Sequence, residues 1–146
     1  MTLRTGLLWG FKASFREYIQ LVSGHVVIVS PASEVDSKYF FPFSGKHEDG
    51  DHGATLLRFD GSVSFTGHGG LLSMTIATPT VVFHEGRATL SIRDPKDAMR
   101  LMPLADLAMP STAGPVPASL TPQGSATLQG TYSTGAALDD VVLRLG

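Results

Sequence analysis

Gly61-Ser62-Val63-Ser64-Phe65-Thr66-Gly67-His68-Gly69-Gly70-Leu71-Leu72-Ser73-Met74-Thr75-Ile76 is the stretch that decides the fold. Residues 62–66 and 71–77 read as two strands, with glycines marking their ends. His68 falls in the turn between them, flanked by Gly67, Gly69 and Gly70. Those glycines let backbone approach a flat ligand closely. The strand character extends outward on both sides. His25-Val26-Val27-Ile28-Val29 is β-branched and ends at Ser30-Pro31. Residues 39–43 are aromatic and extended, and Pro42 hints at an edge or a bulge. Further strand candidates lie at 54–60, 79–84 and 87–93, and later ones at 125–129 and 141–145. Asp60-Gly61 and Glu85-Gly86 look like hairpin turns.

The remaining segments read differently. Phe11, Phe15, Tyr18, Ile19 and Val22 repeat at the spacing of an amphipathic helix over 11–22, which Ser23-Gly24 stops. Ser14 precedes Tyr18 by four residues and shares its face. Residues 45–53 read as a polar loop and 94–101 as a short helical turn. Residues 103–118 contain four prolines and read as a surface connection with apolar anchors at Leu104, Leu107 and Met109. The sum is a mainly β fold. We expect an antiparallel β-sandwich or open barrel with a short N-terminal helix packed on it, in one domain over residues 1–146.

Composition narrows the function. An apolar fraction of 42% supports a real core, while charged residues make up only 16%. Net charge is −2, without the basic excess of a nucleic-acid-binding domain. The chain has no cysteine, which excludes disulfides, zinc–cysteine sites, thiolate haem ligands and cysteine nucleophiles. No run approaches the ~20 apolar residues of a membrane span. Residues 1–11 are too short and glycine-broken for a signal peptide. The expectation is therefore a cytoplasmic location if the chain is full length, and an extracytoplasmic one if it is processed or truncated.

A phenol at Tyr18 and an imidazole at His68 can form one pair. Such a pair suits a hard ferric iron, because the oxygen binds as phenolate and the imidazole can favour that form. Read alone, each has a blander explanation: Tyr18 as a core tyrosine, His68 as a turn-capping or exposed histidine. The run Trp9-Gly10-Phe11-Lys12-Ala13-Ser14-Phe15-Arg16-Glu17-Tyr18-Ile19 resembles the opening motif of HtaA domains, the haem-binding modules of actinobacterial haem uptake. The segment from Gly61 to Ile76 resembles that family's second motif. The tail Gly130-Thr131-Tyr132-Ser133-Thr134-Gly135-Ala136-Ala137-Leu138-Asp139 is similar to its closing motif. The three motifs follow in order and span nearly the whole chain.

The resemblance implies a β-rich fold holding one ferric haem b. It implies Tyr18 as the axial ligand of the haem iron and His68 as hydrogen-bond partner of the Tyr18 oxygen. It also implies Ser14 and Tyr132 at the haem border, near the propionates. The partners expected are haem and haem donor or acceptor proteins, with a homodimer as a further expectation. Family members usually carry an export signal, and often an anchor or a second domain copy; this chain shows neither.

Other residues carry weaker signals. Ser14 could instead bond back within its helix, and Tyr132 could be an ordinary strand aromatic. His47, Glu48, Asp49, Asp51 and His52 offer side chains that could bind a divalent metal, but their spacing supports no defensible motif and the composition is that of an ordinary solvated loop. His25 and His84 lie on strand candidates, and Met74 suits core packing. The leading reading is a haem-binding and haem-transfer protein. The alternative is a haem-dependent peroxidase using the open axial position, since tyrosine is also a catalase ligand. No Ser-His-Asp arrangement, P-loop or dinucleotide motif is present.

Overall fold

A computed structural model describes residues 5–70, 72–108 and 114–144. In chain order the first half comprises β1 (Gly6–Trp9), α1 (Ala13–Leu21), β2 (His25–Val29), β3 (Ser33–Val35), β4 (Lys38–Asp49), β5 (Ala54–Phe59) and β6 (Ser62–Gly67). A 3-10 turn at His68–Gly70 leads into β7 (Leu72–Ala77), β8 (Thr80–His84), β9 (Arg87–Asp94), β10 (Asp97–Leu107), β11 (Pro115–Leu120), α2 (Pro122–Thr127) and β12 (Ala137–Arg144). The expected mainly antiparallel β architecture with a short N-terminal helix is what forms.

Eight strands run β1-β12-β11-β10-β9-β8-β5-β4, and β1 pairs again with β4, so the sheet closes into a barrel. Closure removes the exposed edges of an open sheet. β4 makes this possible by changing neighbours along its length. Tyr39 to Pro42 pair with β1, while residues from Phe43 to Asp49 pair with β5. The register shifts between Phe43 and Gly45, directly after Pro42, where a bulge was expected. β3 pairs with the start of β4, at Lys38 to Phe40. Leu7, Trp9, Phe41, Phe59, Val81, Leu90, Ile92, Leu104 and Val141 are buried. Each such side chain contributes about 1.5–3 kcal/mol relative to exposure.

A second sheet, ordered β2-β6-β7, carries α1. Val63 and Phe65 of β6 and Met74 and Ile76 of β7 are buried. Phe15 and Ile19 are the buried residues of α1. Met74 is thus a core residue. Asp60-Gly61 connects the two sheets rather than closing a hairpin, since β5 pairs with β4 and β8. Gly61 has φ 104°, and a Cβ there would fall 2.5 Å from the backbone nitrogen of Ala32. Glu85-Gly86 does close the β8–β9 hairpin, with both residues at positive φ.

Several expectations fail for identifiable reasons. Most of residues 45–53 are strand: β4 continues to Asp49 and turns back into β5 at Ala54. Polar side chains there reflect an exposed hairpin, not irregular backbone. Residues 94–97 form the β9–β10 turn, where Asp94 accepts a hydrogen bond from the Lys96 amide at 2.8 Å. The described part of 103–118 is largely strand; Met109 lies outside the described residues. Pro103 and Pro117 sit at register shifts, where a missing N–H is tolerated. Residues 125–129 begin inside a helix, α2, rather than a strand. Thr121 caps it by accepting from the Gly124 amide at 3.0 Å, and Pro122 opens it. The strand expected at 141–145 is the end of β12, with residue 145 outside the described residues, as is residue 71 of the strand expected at 71–77.

Candidate functional site: a phenol–imidazole pair on the first helix

α1 is positioned by a residue from the far end of the chain. Its N-cap, Lys12, makes no side-chain cap. Instead Asp139 of β12 accepts the Ala13 amide at 3.0 Å through one carboxylate oxygen. Its other oxygen pairs with Arg16 at 2.7 Å, and its backbone oxygen accepts from the Trp9 indole at 2.7 Å. Arg16 also donates to the Gly10 carbonyl at 2.6 Å. A Cβ on Gly10 would lie 2.3 Å from the Arg16 guanidinium and 2.8 Å from the Asp139 carboxylate. Trp9, Phe11, Phe15 and Phe65 then stack edge to face in series, with centroids 5.2–5.5 Å apart. At the other end, the Ser23 amide bonds to Gln20 and the Gly24 amide to Ile19. Ser23 takes the left-handed conformation at φ 53°, which closes the helix. A Cβ on Gly24 would fall 2.3 Å from the Thr66 carbonyl, so α1 ends hard against β6.

This frame presents Tyr18. It is half-buried, at the margin of the apolar face rather than within it. Its hydroxyl contacts Nε2 of His68 directly, and the two rings lie 5.5 Å apart between centroids, tilted by 54°. His68 is exposed on the turn that follows β6. His68, Gly69 and Gly70 are all left-handed, at φ 50°, 64° and 96°. Added Cβ atoms on Gly69 and Gly70 would meet nothing within 4 Å, so the surface beside the pair is open.

Tyr18 and His68 are therefore brought together as expected from their residue types. Ser14 is exposed one turn earlier on α1. Tyr132 lies in a turn after α2, not on a strand. Its ring packs against Phe15 at 6.2 Å, and its backbone oxygen accepts from Ser125 at 2.7 Å. The Lys12 ammonium lies 5.6 Å from the centroid of that ring. Tyr39, the remaining tyrosine, is buried, and burial pushes its phenol above the ordinary range, partly offset by the Arg16 guanidinium.

The candidate metal side chains around the β4–β5 turn do not converge. Among the described residues no three His, Asp or Glu side chains gather as a metal site. His52 instead bonds to the Asp49 carboxylate at 2.8 Å, which holds that carboxyl below its usual range. His25 and His84 are exposed. A hollow of about 440 Å³ adjoins His68, lined also by Val22, Gly24, His25 and Thr66. A larger cavity of about 850 Å³ lies between β7, the β9–β10 hairpin and α2, and none of Ser14, Tyr18, His68 or Tyr132 lines it. Among the described residues no helix is long and apolar enough to cross a membrane.

Sequence reading missed Asp139, Arg16 and Gly10 as the supports of α1. They fall inside the opening and closing motifs, so those motifs partly specify packing rather than chemistry.

A closed antiparallel barrel carrying a side sheet, with a helix-borne phenol against a turn-borne imidazole, defines a class of small β-rich modules. The chain belongs to the Htaa family, which it matches over residues 4–144. It is similar to the N-terminal domain of HtaA from Corynebacterium glutamicum, at 27% identity and a TM-score of 0.78, covering 100% of this chain and 99% of that one. The C-terminal domain of the same protein is 25% identical with a TM-score of 0.75, covering 94% and 92%. Heme binding protein HtaB from Corynebacterium glutamicum shares the fold at 18% identity and a TM-score of 0.67, covering 94% and 90%. No curated protein matches the chain significantly in sequence.

Proposed function

We propose that this chain binds one ferric haem b as a single unit, with Tyr18 as axial ligand, and serves in haem uptake, holding or transfer. The observation that carries the reading is the contact between the Tyr18 hydroxyl and His68 Nε2 on an open, glycine-bordered surface. Membership of the Htaa family supports it. Ferric haem supplies a hard cation that favours an anionic oxygen. The chain supplies that oxygen and a place for its proton.

Free tyrosine titrates near pH ~10, so an anionic oxygen at neutral pH needs help. Cationic charge gives most of it, and a hydrogen bond to the anion adds to it. Without ligand, the Tyr18 hydroxyl can donate to Nε2. With the oxygen anionic, Nε2 must carry the proton and donate back. His68 thus receives the phenol proton in place and orients the ligand oxygen. Ser14 and Tyr132 border the same end of α1 and are assigned to the haem edge. The exposed position of the pair suits passage of haem between a donor and an acceptor protein, and a second copy of the chain is the natural cover for an open apolar edge.

Absorption spectra on mixing with hemin test the assignment. Tyr18→Phe keeps the ring and removes only the oxygen. It should bind hemin far more weakly and lose any phenolate charge-transfer band. An unchanged spectrum and affinity would overturn the ligand assignment.

A further inference from the structure

We propose that the groove between β7 and α2 takes an extended, acidic segment of a partner protein as an added strand. β7 is the last strand of the β2-β6-β7 sheet, and among the described residues no strand pairs with its other side. Its register with β6 is unbroken from Leu72 to Ala77. That free edge is therefore straight over six residues, about 20 Å at about 3.3 Å per residue. Ser73 and Thr75 are exposed and Met74 is buried, as alternation along a strand requires. All three line the cavity of about 850 Å³. A cavity that meets both faces of one strand lies along its edge, where the amides and carbonyls that β6 does not use point outward.

The opposite wall is α2, whose Gln123, Ala126 and Thr127 fall on one face at i, i+3 and i+4. A recess along a strand edge suits an extended peptide, which completes the ladder with its own backbone. Met74 and Met102 are buried beneath it, and the Thr127 hydroxyl donates to the Met102 sulfur at 3.3 Å. Methionine adapts to varied apolar side chains. Charge selects the occupant. Arg93 and Lys96 of the β9–β10 hairpin line the same groove, and among the described residues neither forms an ion pair. Arg93 donates to the Ala98 carbonyl at 3.0 Å. The Asp94 carboxylate between them accepts the Lys96 amide, which leaves this rim net positive. β2, the strand at the other end of the sheet, is His25-Val26-Val27-Ile28-Val29 and brings no acid, so a second copy of the chain lacks the matching charge. The groove shares no lining residue with the Tyr18–His68 pair.

Random linear peptides displayed on phage are selected against the whole chain, and the recovered sequences are made as capped synthetic peptides. They should alternate apolar residues and carry Asp or Glu. Adding them should slow hydrogen exchange at alternate β7 amides, read by NMR, and leave the β2 amides unchanged. Arg93→Glu combined with Lys96→Glu should weaken them at least about 10-fold and favour peptides bearing Lys or Arg instead. Melting of that double variant controls for folding. Methylating alternate backbone nitrogens of the peptide should weaken binding by a similar factor in the wild type, because an added strand loses ladder bonds. Protection at β2, insensitivity to backbone methylation or to the charge reversal, displacement of the peptide by self-association of the chain, or a selection that enriches no sequence would each overturn the proposal.

Discussion

His68 is held at φ 50° between a buried glycine and two open ones, so its ring is placed by the turn and not by packing of its own. Removal of the ring should therefore cost little stability. His68→Ala should keep a tyrosine-ligated spectrum while speeding haem loss, since an outer partner of a metal ligand typically contributes about 10–100-fold. Stopped-flow transfer of haem to apomyoglobin measures that rate, and a wholly different coordination spectrum would show that the two roles are exchanged. Tyr39 makes the contrast. Burial raises its phenol above the ordinary value, so the folded state holds that proton more tightly than the unfolded one. Its contribution is full below pH ~10 and is lost as pH rises through the folded value. Thermal melts should fall in that alkaline window, and the fall should be smaller in Tyr39→Phe.

Among the elements, α1 depends on a cap it does not carry. Asp139→Ala removes the acceptor for the Ala13 amide and leaves Arg16, about one-fifth exposed, without its partner. A lost cap costs about 1 kcal/mol and a lost charged hydrogen bond about 1.5–3 kcal/mol. We expect a lowered urea midpoint with an unchanged slope, and weaker hemin binding with the same spectrum; Asp139→Asn should be milder on both counts. This dependence also explains what could be read from the chain. A helix within 11–22 and the glycine-bounded strands were legible because their signals are local, although α1 is only Ala13–Leu21 and Phe11 lies before it at φ 63°. The Tyr18–His68 pair was legible from residue type and from the family's motifs. Asp139 was not, because nothing near it marks it as a helix cap. β10 and β11 were hidden by Pro103, Pro115 and Pro117, which read as loop until register shifts are known to accommodate two of them. α2 was hidden although Thr121-Pro122 is a sound helix start.

At the scale of the molecule, the proposed Tyr18 ligation would tie haem retention to the iron's charge. Reduction removes one positive charge and would weaken the hold on the Tyr18 oxygen. Dithionite should therefore accelerate haem release, followed by the Soret band. Retention of a tyrosine-ligated spectrum with an unchanged off-rate after reduction would contradict this. The open surface beside the pair makes passage to an apo-acceptor within minutes to hours the expected behaviour. Haem that stays for days, with peroxide turnover well above free hemin, would favour the peroxidase reading.

The cap on α1 also sets an order of events. Ala13 and the carboxylate that receives its amide are separated by 126 residues of chain. At about 5–20 residues per second of synthesis, that separation is about 6–25 s on the ribosome. Until β12 emerges and joins β1, the helix bearing Tyr18 is uncapped and the barrel is open. A nascent chain therefore carries Tyr18 early, but the helix that bears it gains its cap only after β12 has joined the barrel.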